Sequence, residues 1–185
     1  MKKVNAIRKL AAMAILLSSA ALFAQTTATG TINAVLINKE SIALIFDTDP
    51  AGVTLGNTGS SAASLNFGTI SAFGPLSGGV TRPTVLAGSF TVRTVFDVQV
   101  LQGGLASASY TLSAQLAAAA PTGLNYAVDA VTLTAANQNI QTNGTYNTDV
   151  QHSLNLTVST AASGAGGPAV GTPLTTTINF TATSN

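Results

Sequence analysis

Apolar and polar residues alternate one by one through most of the chain beyond residue 25, and this period of two is the constraint that decides the fold class. "SFTVRTVFDVQV" sets Phe90, Val92, Thr94, Phe96, Val98 and Val100 against Thr91, Arg93, Asp97 and Gln99. "TATGTINAVLI" sets Ala28, Gly30, Ile32, Ala34 and Leu36 against Thr27, Thr29, Thr31 and Asn33. The terminal run sets Leu174, Thr176, Ile178, Phe180 and Ala182 against Thr175, Thr177, Asn179 and Thr181. "SIALIFD", "ASLNFGTI", "SYTLSAQL", "YAVDAVTLT" and "HSLNLTVST" repeat the pattern. Successive side chains leave opposite faces of a pleated strand, so such runs are half-buried antiparallel strands. Turn formers separate them: "DTDPAG", "GNTGSS", "FGPLSGG", "LQGG", "APTG", "NQNIQTNGT" and "SGAGGPAVGTP". Seven or eight short strands at this spacing predict an all-β, immunoglobulin-like antiparallel β-sandwich. The one alanine-rich stretch, "SAQLAAAAP", is cut by Pro121.

The first 24 residues stand apart from this pattern. Lys2, Lys3, Arg8 and Lys9 precede an apolar run from Leu10 to Leu17, and small residues follow down to Ala24. That order reads as a secretory signal peptide, cleaved after Ala24 or, with Ser19 behind it, after Ala21. The run is too short to span a bilayer, so no membrane insertion is expected. The expected organisation is therefore a signal at 1–24, a leading strand-like arm at 25–37 and one sandwich domain at 38–185. The chain has seven basic residues, and four of them fall in the signal. Lys39, Arg82 and Arg93 then face six acids, a net charge of −3 for the exported product. That product carries no basic footprint for nucleic acid. Cysteine is absent, which excludes a disulfide frame, thiolate chemistry and a lipid-anchored N-terminus.

Candidate chemistry is sparse, and no cofactor, metal or catalytic residue is expected. The single histidine, His152, lies near Asp149 in sequence but has no Gly-x-Ser-x-Gly turn to partner it. It reads as a strand-end surface residue. Asp47 and Asp49 in "FDTDPAG" supply hard oxygen donors, yet Pro50, Ala51 and Gly52 follow where a calcium loop continues with acids or amides. Asp before Pro-x-Gly is ordinary turn chemistry.

The two ends of the exported chain carry more. Neither the leading arm nor the terminal strand has a single charged side chain, although natural sheets usually guard their edges with charge. An extended, alternating segment can add to a sheet edge through a ladder of backbone hydrogen bonds. Inserted into its own sandwich, the arm completes a self-contained domain. Inserted into a neighbour, it makes a head-to-tail contact that does not close, and a filament grows. Burying Ile32 and Leu36 with Ala28 and Ala34 is worth on the order of 5–8 kcal/mol before entropy costs.

"TATGTINAVL" after the leader, "LNFGTI" at 65–70 and the closing "GTPLTTTINFTA" together resemble the exported subunits of chaperone-usher fimbriae. The likeness is to the cysteine-free alpha-type and common-pilus major subunits, which are related to spore coat protein U domains. It implies a pilin-type sandwich that is incomplete and is finished by donor-strand exchange. Ala28, Gly30, Ile32, Ala34 and Leu36 would then be the donor positions. Phe90, Val92, Phe96, Val98, Leu174, Ile178 and Phe180 would wall the groove. Implied partners are other copies of the chain, a periplasmic chaperone and an outer-membrane usher, with the cell surface as destination. The rival expectation is a self-contained secreted binding module that recognises glycan or another surface polymer through its long loops.

Overall fold

The computed structural model describes residues 41–104, 106–159 and 173–185. The signal-like segment, the arm at 25–37 with its five donor positions, and the glycine-rich run at 163–171 lie outside these residues. The described chain is all-β: β1 (Ser41–Asp47), β2 (Thr81–Leu86), β3 (Ser89–Gly103), β4 (Tyr110–Leu116), β5 (Leu124–Val128), β6 (Val131–Thr132), β7 (Gln138–Gly144), β8 (Asp149–Ser159) and β9 (Ile178–Ser184). Two antiparallel sheets form a β-sandwich. The larger runs β1-β3-β8-β5-β6, with β2 also on β3, and the smaller runs β7-β4-β9.

The long strand β3 organises the larger sheet. One edge is paired along eleven positions with β8, from Ser89↔Ser159 to Gln99↔Asp149. The other edge is shared, β2 taking its first part and β1 its last. Its even-numbered residues point inward as the alternation requires: Val92, Val98 and Val100 are fully buried, and Phe96 nearly so. Thr94 is the polar exception, only 2% exposed. It sits in the gap between β2 and β1, where two loops replace a strand. Its hydroxyl accepts from Val53 N at 3.0 Å and donates to Gly79 O at 2.8 Å. Those loops approach so closely that a Cβ on Gly52 would lie 1.9 Å from Val95 O. Gly79 adopts φ +77° and faces Gly52 O in the same way. A hydroxyl that both donates and accepts is what this buried gap needs, since an unpaired backbone group there would cost about 1–3 kcal/mol.

Three departures from the sequence reading have local causes. "ASLNFGTI" forms no ladder strand, although Leu65 and Phe67 still pack on the core and Asn66 is exposed. Asn66 Oδ1 accepts from Gly68 N at 2.8 Å, and Gly68 takes φ +68°, a turn that ends the extension. "NQNIQTNGT" contains β7, where a turn was expected: an edge strand needs mainly its backbone, and shifts of register in its pairing with β4 accommodate the polar residues. "YAVDAVTLT" is a hairpin of β5 and β6, because Asp129 adopts φ 53° between them.

The sheets meet over Phe46, Phe96 and Phe180, whose ring centroids lie 5.2–6.3 Å apart. Two of the three contacts are edge-on, the arrangement the ring quadrupoles favour. Phe180 is thus the point at which β9 is tied to the opposite sheet.

Candidate functional site

Next to that aromatic contact the sandwich is not filled. A furrow of about 440 Å³ runs between β9 and the inner face of the larger sheet. Tyr126, Leu154 and Leu156 form its floor, and Phe46, Phe96, Ile178 and Phe180 one end and wall. The segment 61–65 with Phe67 forms the facing wall, and the approach to β9 from Leu174 completes it. The lining is apolar except for hydroxyls of Ser61, Ser64 and Thr175 to Thr177.

The wall made by β9 is a sheet edge. Thr177 O accepts from Ala117 N, and Asn185 N donates to Ser109 O, which fixes the hydrogen-bonded positions of the β4–β9 ladder. Odd-numbered residues of β9 therefore turn their backbone groups toward β4. Both backbone groups of one residue point the same way in an antiparallel pair and alternate along it. Ile178, Phe180, Ala182 and Ser184 thus present N–H and C=O away from β4, and among the described residues β9 has no other partner. Apolar floor and unpaired ladder together can receive one extended, alternating segment. The floor takes its apolar side chains and β9 its backbone.

Four of the seven expected groove residues line this furrow: Phe96, Leu174, Ile178 and Phe180. Val92 and Val98 are fully buried inside the larger sheet's core face, and Phe90 is half-buried near its start; none of these lines the furrow. The reading from sequence missed the floor, Tyr126, Leu154 and Leu156. Their strands were legible, but which strand lies beneath an opening depends on the order of strands in the sheet.

His152 is not a surface residue. It sits in mid-strand on β8, opposite Phe96, and is 3% exposed. Its Nδ1 lies 2.8 Å from Asp129 Oδ2. Asp129 Oδ1 also accepts from Ser153 N at 2.8 Å and from Ser153 Oγ at 3.2 Å. Burial raises the Asp129 carboxyl, but these hydrogen bonds and the His152 charge outweigh it and hold it below the ordinary carboxylate value. The hydroxyl in this group donates to Asp129, not to His152, and Nε2 has no partner among the described residues. The arrangement clamps the β5–β6 turn to β8. It is not a Ser-His-Asp relay.

Asp49 makes a turn, as its sequence context suggests. Its main-chain oxygen accepts from Gly52 N, and its carboxylate from Ala51 N and Gln151 Nε2. Hydrogen bonds from Gln151 and Ala51 hold its carboxyl low. Asp97 is the opposite case: burial, then the carboxylates of Asp49, Asp149 and Asp47, push it above the ordinary value. Asp47 is its direct cross-strand neighbour. A carboxyl raised by folding contributes stability that is complete below the unfolded value of 3.8 and is lost as pH rises through its folded value. The lowered Asp49 and Asp129 contribute the reverse, stability present above 3.8 and lost as pH falls through their folded values. The expected profile of urea midpoint against pH rises from neutrality toward mild acidity and then falls below about pH 4. Asp97→Asn should abolish the rise and stabilise the neutral protein by about 0.5–1 kcal/mol, the scale of a facing like-charge pair. A variant less stable than the parent at pH 7 would refute this assignment.

Comparison with known proteins returns no family model and no curated relative that matches the chain.

Proposed function

We propose that the protein is a structural subunit of a bacterial surface fimbria or coat, polymerising by donation of a β-strand. The observation that carries this reading is the pairing of an apolar furrow with the outward edge of β9. A strand added there would complete an immunoglobulin-like sandwich. The arm at 26–36 has the required form: five apolar or small residues at every second position, with Thr29, Thr31, Asn33 and Val35 between them, and no charge. Association by such a strand combines ladder hydrogen bonds with side chains in a groove. A secreted, disulfide-free and weakly charged chain suits a durable extracellular polymer, with a periplasmic chaperone and an outer-membrane usher as the partners that would guard and exchange the open edge. The role is structural, not catalytic.

Removing residues 26–36 tests the reading. The full exported chain should give a ladder in unheated detergent gels, and the deletion should reduce it to a monomer of lowered stability. A synthetic peptide of residues 25–37 should restore that stability. A full chain that stays monomeric, or a deletion variant with the parent's unfolding midpoint, would leave a self-contained binding module as the better description.

A further inference from the structure

Charge is spread unevenly over the sandwich. Among the described residues β4, β7 and β9 carry no charged side chain, and every Asp, Arg and His lies on the larger sheet or its loops. Even-numbered residues of β1, β3 and β8 fill the core, so the odd-numbered ones stand on that sheet's outer face. Asp47 and Asp97 are cross-strand neighbours there, and Asp149 follows on the next row, opposite Gln99. Asp49 reaches over from its turn to Gln151. Four carboxylates thus crowd one end of the face. Arg93 shares strand and face with Asp97, four residues or about 13 Å away. Its Nε donates to Asn155 Oδ1 at 2.7 Å, which anchors the guanidinium and leaves its terminal amino groups without an acceptor among the described residues. Arg82, by contrast, is committed to the carbonyls of Ser71 and Gly74.

Opposite charges at a fixed spacing on one strand make this face complementary to itself. Val95 lies midway between Arg93 and Asp97. A two-fold axis through Val95, parallel to the sheet and across its strands, sets a second copy face to face with its strands reversed. Arg93 of each copy then stands over Asp97 of the other, and the two acidic ends stay apart. A partner of uniform charge would be attracted at one end and repelled at the other. Val95 and its neighbour Ser153 are short, and Ala127 follows on β5, so the faces can approach to the ~10 Å usual for packed sheets. Four strands and the eleven paired positions of β3 and β8 give a flat patch of roughly 700 Å², comparable with the ~800 Å² per partner of a stable interface. Burial and the carboxylates of Asp49, Asp149 and Asp47 push the Asp97 carboxyl up, and an arginine brought from outside relieves that crowding.

We propose that the outer face of the larger sheet binds the same face of a second copy, antiparallel about Val95, through reciprocal Arg93–Asp97 pairs. The contact is lateral. It uses neither the furrow nor the edge of β9, and it does not depend on the strand-donation reading. Being isologous, it closes at two copies. Where copies are also joined end to end, it ties one such polymer to another, side by side.

Charge reversal in the full exported chain tests this geometry. Arg93→Asp leaves acids at both positions, and Asp97→Arg leaves arginines at both. Each variant alone sets like charges opposite one another, and its side-by-side association, followed by sedimentation at low ionic strength and neutral pH, should weaken at least about tenfold. Mixed in equal amounts, the two variants present opposite charges at both contacts and should associate as the parent does. Raising salt to about 0.5 M should disperse parent and mixture alike. Urea midpoints check that each variant is folded, and Val95→Cys adds a readout that keeps both charges in place. A bismaleimide of about 10 Å span should join two such chains at low salt and not at high salt. A mixture that stays as dispersed as its components, or Val95→Cys chains that are not joined, would overturn the inference. The detergent-resistant ladder depends on residues 26–36 and should be unchanged by the reversals, so a failure here leaves strand donation standing.

Discussion

Gly144→Val is expected to cost at least about 3 kcal/mol, enough to prevent recovery of folded protein or to move the urea midpoint by more than any surface substitution. Strand propensity predicts the opposite, because valine is favoured in strands and glycine weakens them. The position, however, faces Tyr110 across the β4–β7 ladder. A Cβ there would lie 2.3–2.7 Å from three carbons of the Tyr110 ring. Tyr110 is completely buried and packs at 5.2 Å on Tyr146, so the ring has nowhere to go. Alanine should already be damaging. Thr142→Val, exposed on the same strand, should be nearly neutral and so separates the clash from any general weakness of β7. Replacing the ring as well, with Tyr110→Leu, should make the two changes strongly non-additive, the glycine substitution costing much less in that background. Additive effects would show that the close approach is not the cause.

That contact also shows what period-two reading can and cannot supply. The runs at 41–47, 89–100, 110–116 and 178–182 are strands with the faces their alternation assigns, because burial on one side only is enforced residue by residue along a strand. Segment 138–144 escaped notice because it is an edge, where polar side chains are tolerated and no alternation is enforced. Phe67 misled in the other direction: its alternation is real and half-buried, but Asn66 and Gly68 turn the backbone before any ladder forms. The furrow was half legible. Phe96, Ile178 and Phe180 could be named from their runs, whereas Tyr126, Leu154 and Leu156 belong to strands whose place under the opening is set by a crossover in strand order. His152 was misread because a buried imidazole needs a partner, and its partner comes from a turn 23 residues earlier in the sequence. Only a left-handed Asp129 aims a carboxylate at it, and nothing in the spacing announces that conformation.

Asp129→Ala should destabilise the protein by about 2–4 kcal/mol, by removing acceptors that three donors share. His152 Nδ1, Ser153 N and Ser153 Oγ all converge on its two carboxylate oxygens. His152 is almost fully buried, so its ring nitrogen cannot turn to water when the carboxylate goes. Asp129 itself is 40% exposed in its side chain, and its exposed oxygen surface keeps the loss below that of a fully buried pair. The backbone adds a smaller term, because φ 53° is tolerated by Asp and Asn and strained for alanine. Asp129→Asn separates the two contributions. It retains the left-handed preference and one acceptor while giving up the charge, and should recover about half of the loss. The pH dependence separates them again. In the parent, the lowered carboxyl withholds its contribution only as pH falls below the unfolded value of 3.8, so both variants should lose less stability than the parent between pH 5 and strong acid. Urea midpoints measured across that range decide the matter. If Asp129→Asn is as stable as the parent at pH 7, the charge contributes nothing, and the clamp between the β5–β6 turn and β8 is held by backbone geometry and the one retained acceptor.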